Sequence, residues 1–324
     1  MDKKKVVAGI DIGGTNSVFG LVDIFGNCLV RSKVLTEPAQ GPENLFLKIF
    51  NDIDRMVGSF HEEVELIGIG VGAPNANFYN GTIENPVNLG WGIVNVVKMI
   101  YEHYGIAGAI TNDANAAALG EMEFGAAKSM KNFIEITLGT GLGSGIIVNG
   151  DLVYGQDGFA GEIGHIIVKP DGRMCGCGRK GCLEAYVSAT GLKRTALTLM
   201  AKLNKSSALR RIAPSVLTSK NVFDAAMQGD LLARECFKYT AGFLGKALAD
   251  IVAIFSPEAF IFTGGMAKAG DILFGPTSEV LESNLLSVFN NKIKILQSGL
   301  DAGDAAVLGS AALIWHEKHI NNGI

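Results

Sequence analysis

Two glycine-threonine turns constrain this chain more than any other feature. The first, Asp11-Ile12-Gly13-Gly14-Thr15, leaves an apolar strand at 6–10 and enters a second strand at 17–23. The second, Gly139-Thr140-Gly141-Leu142-Gly143, leaves a strand at 132–138 and enters another at 144–148. Glycines expose backbone N–H groups with no Cβ in the way, an arrangement that can cradle phosphate oxygens, and Thr15 adds a hydroxyl. Strand, glycine turn and returning strand occur twice, which predicts a duplicated α/β core whose halves close on a shared ligand. A dinucleotide-binding fold fits poorly, because a helix should follow its first glycine turn. The GxxxxGK[ST] loop is absent, and so are the HRD and DFG segments, so P-loop and protein-kinase chemistry are not indicated.

At 324 residues the chain exceeds what one core normally holds, which predicts two packed lobes with a boundary near residue 113. Its 42 glycines cluster at strand ends, and with only 8 prolines and no Pro- or Ser-rich linker the lobes should be joined by structured elements. The 28 basic and 32 acidic side chains leave a net charge of −4, without the basic excess expected of a nucleic-acid binder. The apolar run between Lys5 and Asp11 is too short for a signal segment or a bilayer span. Five cysteines, an odd number, fit a reducing compartment better than a disulfide framework, so a soluble cytoplasmic protein with no membrane partner is expected.

Hydrophobic spacing predicts helices at 43–60, 93–104, 114–123, 184–203, 231–255 and 305–316. Further strands are expected at 28–36, 65–71, 107–110, 259–262 and 291–297, with an Asn- and Gly-rich loop running to Trp91.

Within this frame four groups carry chemistry. Asp11 is a carboxylate facing a phosphate-type turn, which implies an intervening cation such as Mg²⁺. Gly264 and Gly265 follow the strand at 259–262 and would let an adenosine lie against the backbone. Asn112 and Asp113 stand where a strand meets a helix; either can cap that helix, and Asp113 is also a second acid for the cleft. His165 and the run Cys175-Gly176-Cys177-Gly178-Arg179-Lys180-Gly181-Cys182 supply a Cys₃His set, the standard donor set of a closed structural zinc site. Glu162 and Glu184 flank that loop, and carboxylates of this kind can read vicinal sugar hydroxyls. Two acids could also serve a glycosidase, but that reading leaves the phosphate-type turns unexplained.

The chain resembles the ROK family of bacterial sugar kinases and sugar-responsive repressors, and the resemblance covers essentially its whole length. It is carried by DIGGTN at 11–16, ENPVNLGW at 84–91, TNDANAAALGE at 111–121, TLGTGLGSGI at 137–146, GEIGH at 161–165, CGCGRKGCLE at 175–184 and FTGG at 262–265. The resemblance implies a two-lobed actin-like ATPase (ribonuclease H-like) fold with a central cleft. The expected division is a lobe at 1–113, a lobe at 114–303 holding the zinc loop, and a helix at 304–324 returning to the first lobe. By the same likeness Asp113 is the catalytic base, and Asn85, Asn112, Glu162, His165 and Glu184 contact the sugar. His165 would bind zinc through one ring nitrogen and face the sugar through the other. Asp11, Gly13, Gly14, Thr15, Thr140 and Gly141 would surround the phosphates of ATP or Mg²⁺, with Gly264 and Gly265 against the nucleotide. Glucokinase is the expected activity, the alternatives being a kinase for another hexose or N-acetylhexosamine, or a non-catalytic sugar sensor. The family's repressors carry an extra N-terminal DNA-binding domain for which this chain has no room, so an enzyme is expected. Dimers or tetramers are expected as well. One departure stands out: Asn75 follows Pro74 where many relatives have glycine, beside the sugar loop.

Overall fold

The computed structural model describes residues 3–61 and 63–322; the ends of the expected segments 1–113 and 304–324 therefore lie outside the described residues. An antiparallel meander opens the chain: β1 (Lys4–Ile12), β2 (Asn16–Asp23) and β3 (Cys28–Leu35). Alternation along β1 sends Val6, Ala8, Ile10 and Ile12 into the first lobe's core and Val7 to the opposite face. Helix α1 (Pro42–Gly58) closes that core with Leu45, Phe46, Ile49, Phe50 and Ile53, spaced to lie on one side of a helix. β4 (Val64–Gly72) then pairs parallel to β1.

The Asn- and Gly-rich segment is more ordered than its composition predicts. It builds a small antiparallel sheet of β5 (Ala76–Asn77), β6 (Thr82–Glu84) and β7 (Ile93–Asn95). The helix expected at 93–104 therefore starts late, as α2 (Val96–Tyr104), because Ile93–Asn95 pair with β6. Asn95 marks the change, its side-chain oxygen accepting the Lys98 N–H at 2.9 Å. β8 (Ala107–Thr111) lies parallel to β4 and delivers the chain to α3 (Asp113–Glu123).

The second lobe repeats the first. β9 (Phe133–Leu138), β10 (Leu142–Val148) and β11 (Asp151–Leu152) form its meander. Then come α4 (Glu184–Val187), α5 (Ala189–Lys202), α6 (Ser219–Met227) and α7 (Leu231–Phe255). β12 (Ala259–Thr263), α8 (Asp271–Asn284) and β13 (Lys294–Gln297) complete the lobe. The sheet orders are β3-β2-β1-β4-β8 and β11-β10-β9-β12-β13, the same arrangement of two antiparallel and two parallel pairings, so the duplication is present in the topology.

The predicted helix over 184–203 is broken at Ser188, which is extended and uses its hydroxyl to accept the Gly191 N–H at 3.1 Å. Helix α8 has no counterpart among the expected helices; it runs through Gly275-Pro276 and buries Leu273, Phe274 and Leu281.

Between the sheets run α3 and α9 (Ala305–Asn322), in a shared core with Val7, Val22 and Ala109 on one side and Phe133, Ile147 and Ile261 on the other. α9 packs on β1 and β4 of the first sheet. Gly9 and Gly70 are register partners there, and a Cβ on either would collide with the α9 backbone at Val307 or Ser310. This seam sets the end of β1 and the start of α3, hence Asp11 and Asp113, at one cleft.

Candidate active site

Asp11 closes β1 beside the first glycine turn. That turn is braced from behind, since Thr36 Oγ1 donates to the Gly13 carbonyl at 2.7 Å and Thr36 N–H donates to Thr15 O at 2.9 Å. Gly14 and Thr15 are exposed. Asp113 is the first residue of α3: Asn112 caps the helix, its Oδ1 accepting from Asn115 N at 2.7 Å, while Asp113 Oδ1 accepts from Ala114 N at 2.9 Å. Capping therefore falls to Asn112, and Asp113 stays exposed.

Asp11 and Asp113 line one cavity of about 500 Å³, together with Thr137, Thr263, Gly264, Gly265 and Lys268. Burial first, then the neighbouring Asp113, pushes the Asp11 carboxyl up to about 6 from an ordinary 3.8. The folded chain thus holds this proton more tightly than the unfolded one. Stability from this group is complete below its unfolded value and is lost as pH rises through about 6. At pH 8 the ionised carboxylate costs on the order of 1–3 kcal/mol. Asp11→Asn should therefore raise the melting temperature of the ligand-free chain by several degrees at pH 8, with the gain vanishing towards pH 4. Thermal melts at the two pH values check this, and an unchanged or lower melting temperature at pH 8 would refute it.

The second glycine turn links this cleft to the cysteine loop. A Cβ on Gly143 would lie 3.0 Å from Ala114 Cβ, so β10 presses against the first turn of α3. Leu142 N donates to Glu184 Oε2 at 2.9 Å, and a side chain on Gly141 would collide with that same oxygen. Ser144 Oγ donates to the Gly161 carbonyl and accepts from Ile163 N at 3.3 Å, fastening the loop that carries Glu162. Thr140 is exposed at the tip. On the far side, Gly264 takes a φ of +86° and lies so close to the Leu138 backbone that a side chain there would clash.

His165, Cys175, Cys177 and Cys182 bring their ligand atoms within 4.8 Å of one another. Cys177 Sγ and Cys182 Sγ are 3.7 Å apart, and His165 Nδ1 lies 3.7 Å from Cys175 Sγ. A tetrahedron with metal–sulfur bonds of about 2.3 Å has an edge close to these separations, so the residues fit a closed zinc site. Gly178 and Gly181, both at φ +85°, turn the loop. The Arg179 backbone N–H, the largest cause, holds the Cys177 thiol down to about 6, which favours the thiolate a metal needs. The other His165 nitrogen, Nε2, lies 3.9 Å from Glu162 Oε2, and Glu184 Oε1 lies 3.4 Å from Cys175 Sγ. Glu162, Glu184 and the four residues of the Cys₃His set thus form one assembly.

Asn85 is exposed at φ +47°, its N–H donating to Gly92 O at 3.2 Å. Asn75 also adopts a positive φ, +53°, a conformation asparagine tolerates best after glycine. Its Nδ2 donates to the backbone oxygens of Glu84 and Asn85 at 3.2 and 3.4 Å. Asn75 therefore braces the strand leading into Asn85, and its side chain is engaged in doing so.

Sequence reasoning missed several residues. Arg173 donates to Ala185 O, Gly191 O and Thr195 Oγ1 (3.1, 3.1 and 2.9 Å), with its guanidinium 4.8 Å above the Tyr186 ring, anchoring the cysteine loop to α4 and α5. Across the lobes, Tyr79 Oη donates to Gly155 O at 2.9 Å and Phe78 stacks on Tyr154 at 4.1 Å. Glu121 and Glu135 are buried acids near the cleft. Tyr79 and Gly155 stand 76 residues apart, and Glu135 and its partner Thr263 stand 128 apart, so no local spacing links these pairs.

A duplicated meander core, with Asp11 from one half and Thr137, Thr263, Gly264 and Gly265 from the other lining one cavity, defines a two-lobed actin-like ATPase fold. The chain belongs to the ROK family, whose sequence model matches residues 7–317. It is 36% identical over 317 residues to the glucokinase of Halalkalibacterium halodurans, covering 96% of this chain and 95% of that protein. A ROK family glucokinase from Streptomyces griseus, solved in complex with glucose and AMPPNP, superposes with a TM-score of 0.76 at 34% identity, over 95% of this chain and 98% of that one. The Escherichia coli transcriptional regulator NagC is 29% identical over 326 residues, 98% of this chain and 76% of that protein.

Proposed function

We propose that this chain is an ATP-dependent glucokinase that transfers the γ-phosphoryl group of ATP to the 6-hydroxyl of glucose. The observation that carries the reading is the contact series from the first turn of α3, at Ala114 beside Asp113, through the second glycine turn to Glu184 and the Cys₃His loop. It joins a nucleotide-type cleft to a carboxylate-rich, sugar-type surface, and the identity to ROK glucokinases supports it.

In this reading Glu162, Glu184 and His165 Nε2 hold sugar hydroxyls, with Asn85 and the Nδ2 of Asn112, whose Oδ1 is engaged in capping. Asp113 accepts the proton of the attacking hydroxyl. Gly13, Gly14, Thr15, Thr140 and Gly141 offer amides and hydroxyls to phosphate oxygens, and Gly264 and Gly265 approach the adenosine. Asp11 would hold Mg²⁺, directly or through water; when bound, Mg²⁺ neutralises charge on the β- and γ-phosphate oxygens. Zinc on His165, Cys175, Cys177 and Cys182 leaves no open position, so its role is to shape the loop that presents Glu184. Residues 1–113 with the helix from 304 are taken as one lobe, and 114–303 as the other. A homodimer or homotetramer working in the cytoplasm, without a nucleic-acid or membrane partner, completes the reading; among the described residues no helix is long and apolar enough to cross a membrane.

The test is a panel of hexoses and N-acetylhexosamines with Mg-ATP, the product read by phosphorus NMR. Glucose 6-phosphate is the expected product. Phosphorylation of an N-acetylated sugar alone would move the substrate and keep the kinase. Sugar binding without turnover on any member would favour a sensor.

A further inference from the structure

Glu135 lies in the middle of β9 with no exposed surface, and its side chain faces α3. One carboxyl oxygen, Oε1, accepts from two threonines: Thr137 Oγ1 at 2.9 Å on the same strand and Thr263 Oγ1 at 2.6 Å on β12. The two hydroxyls are 3.0 Å apart, and Thr137 and Thr263 are register partners in the parallel pair. The other oxygen, Oε2, is buried without a hydrogen-bond partner.

The place of this triangle gives it meaning. Both threonines line the cleft beside Asp11, Asp113, Gly264 and Gly265. Two residues past Thr137, β9 gives way to the glycine turn at 139–143, and immediately past Thr263, β12 gives way to Gly264-Gly265. Glu135 thus ties together the last rungs of the two strands that launch the phosphate-facing turn and the adenosine-facing turn. A relative shift of the strands would move one turn against the other, and misplacement of about 1 Å in such a site can cost two orders of magnitude in rate.

We infer that Glu135 is a positioning residue for the nucleotide, clamping the two glycine turns in register through Thr137 and Thr263.

The inference rests on the nucleotide occupying this cleft. The surroundings say in which form the clamp works. From α3, Glu121 and Asp113 add negative charge; β12 contributes the Thr263 hydroxyl and Ile261, and β10 contributes Gly145. Burial, the largest cause, drives the Glu135 carboxyl up to about 8 from 4.5, against the lowering influence of the two hydroxyls. Near neutral pH the clamp is an uncharged acid whose carbonyl oxygen accepts both hydroxyls. Above about 8 it becomes a buried anion beside the anionic phosphates, and nucleotide binding should weaken as pH rises.

Calorimetric binding of Mg-AMPPNP to the full chain tests this without relying on turnover. Glu135→Leu removes the acceptor and should raise the dissociation constant about tenfold or more at pH 7, with glucose affinity within about twofold of wild type. Thr263→Val removes the same link and stands in should Glu135→Leu fail to fold. Glu135→Gln keeps an acceptor oxygen and cannot ionise, so it should bind within about twofold of wild type at pH 7. Between pH 7 and 9 the wild-type constant should rise by about tenfold, the scale of one added charge near the phosphates, while that of Glu135→Gln should change far less. Wild-type nucleotide affinity in both clamp-removing variants, equal losses of nucleotide and glucose affinity, or parallel pH profiles for wild type and Glu135→Gln would each overturn the inference. A wild-type chain that binds Mg-AMPPNP but phosphorylates no sugar would refute the kinase reading and leave the clamp to be judged on binding alone.

Discussion

Asp113→Asn is expected to lower turnover by about 10²–10⁴-fold at saturating substrates, the usual scale of general-base catalysis. A sugar hydroxyl stays protonated in neutral water and is a poor nucleophile. Phosphoryl transfer has a loose transition state, so the proton can leave late, to a carboxylate placed beside the hydroxyl. Asp113 is suited to this because capping of α3 falls to Asn112, and the Asp113 side chain is exposed at the cleft. Asparagine keeps the size and can still accept the Ala114 N–H, but it cannot take the proton. The fold and the affinities for glucose and ATP should therefore change little, which separates this variant from Asp11→Asn, whose defect should appear mainly as weaker use of Mg-ATP. Near-normal turnover by Asp113→Asn would show that the base lies elsewhere.

Removing the metal should damage sugar binding more than nucleotide binding. The freshly purified chain is expected to carry one zinc, and Cys177→Ala to carry almost none. Cys177 is exposed, so its truncation leaves no cavity in the core. What is lost is the constraint on the loop: Cys175 contacts Glu184, and Glu184 in turn accepts the Leu142 N–H of the glycine turn. Changes at and around metal ligands commonly reduce affinity or activity by about 10–100-fold, and a rise of that size is expected in the Michaelis constant for glucose. Metal analysis alongside kinetics decides it. Full activity in zinc-free protein would rule out a supporting role for the metal.

Much of the site could be read from the chain because its parts are local. A glycine turn between two strands, an Asn-Asp pair at a strand-to-helix junction and three cysteines spread over eight residues are each visible as local patterns, and the family resemblance supplies the expected role of Asp113. The long helix at 231–255 was legible for a similar reason, its apolar residues recurring over many turns without interruption. Legibility failed where a local signal met a distant partner. Ile93–Asn95 have a helical look, but pairing with β6 makes them a strand; α8, absent from the expected helices, runs through Gly275-Pro276 and buries Leu273, Phe274 and Leu281.

The sequence by itself determined the class of chemistry, the duplicated strand–turn–strand theme, and the four residues able to hold zinc, since each depends on residue type and short spacing. Only the tertiary structure decided how these parts address one another. Gly9 and Gly70 have meaning only once α9 lies against the sheet, and Gly141 only once Glu184 fills the space its missing side chain leaves. Burial and the nearby Asp113 raise the Asp11 carboxyl only because the seam of α3 and α9 brings distant strand and helix ends to one cleft. Glu135 looks like a misplaced charge in an apolar strand until Thr263, 128 residues away, comes within 2.6 Å of it. Short-range steric and hydrogen-bonding preferences act between neighbours along the chain, whereas the burial and field that give a buried acid its properties exist only when the whole fold excludes water.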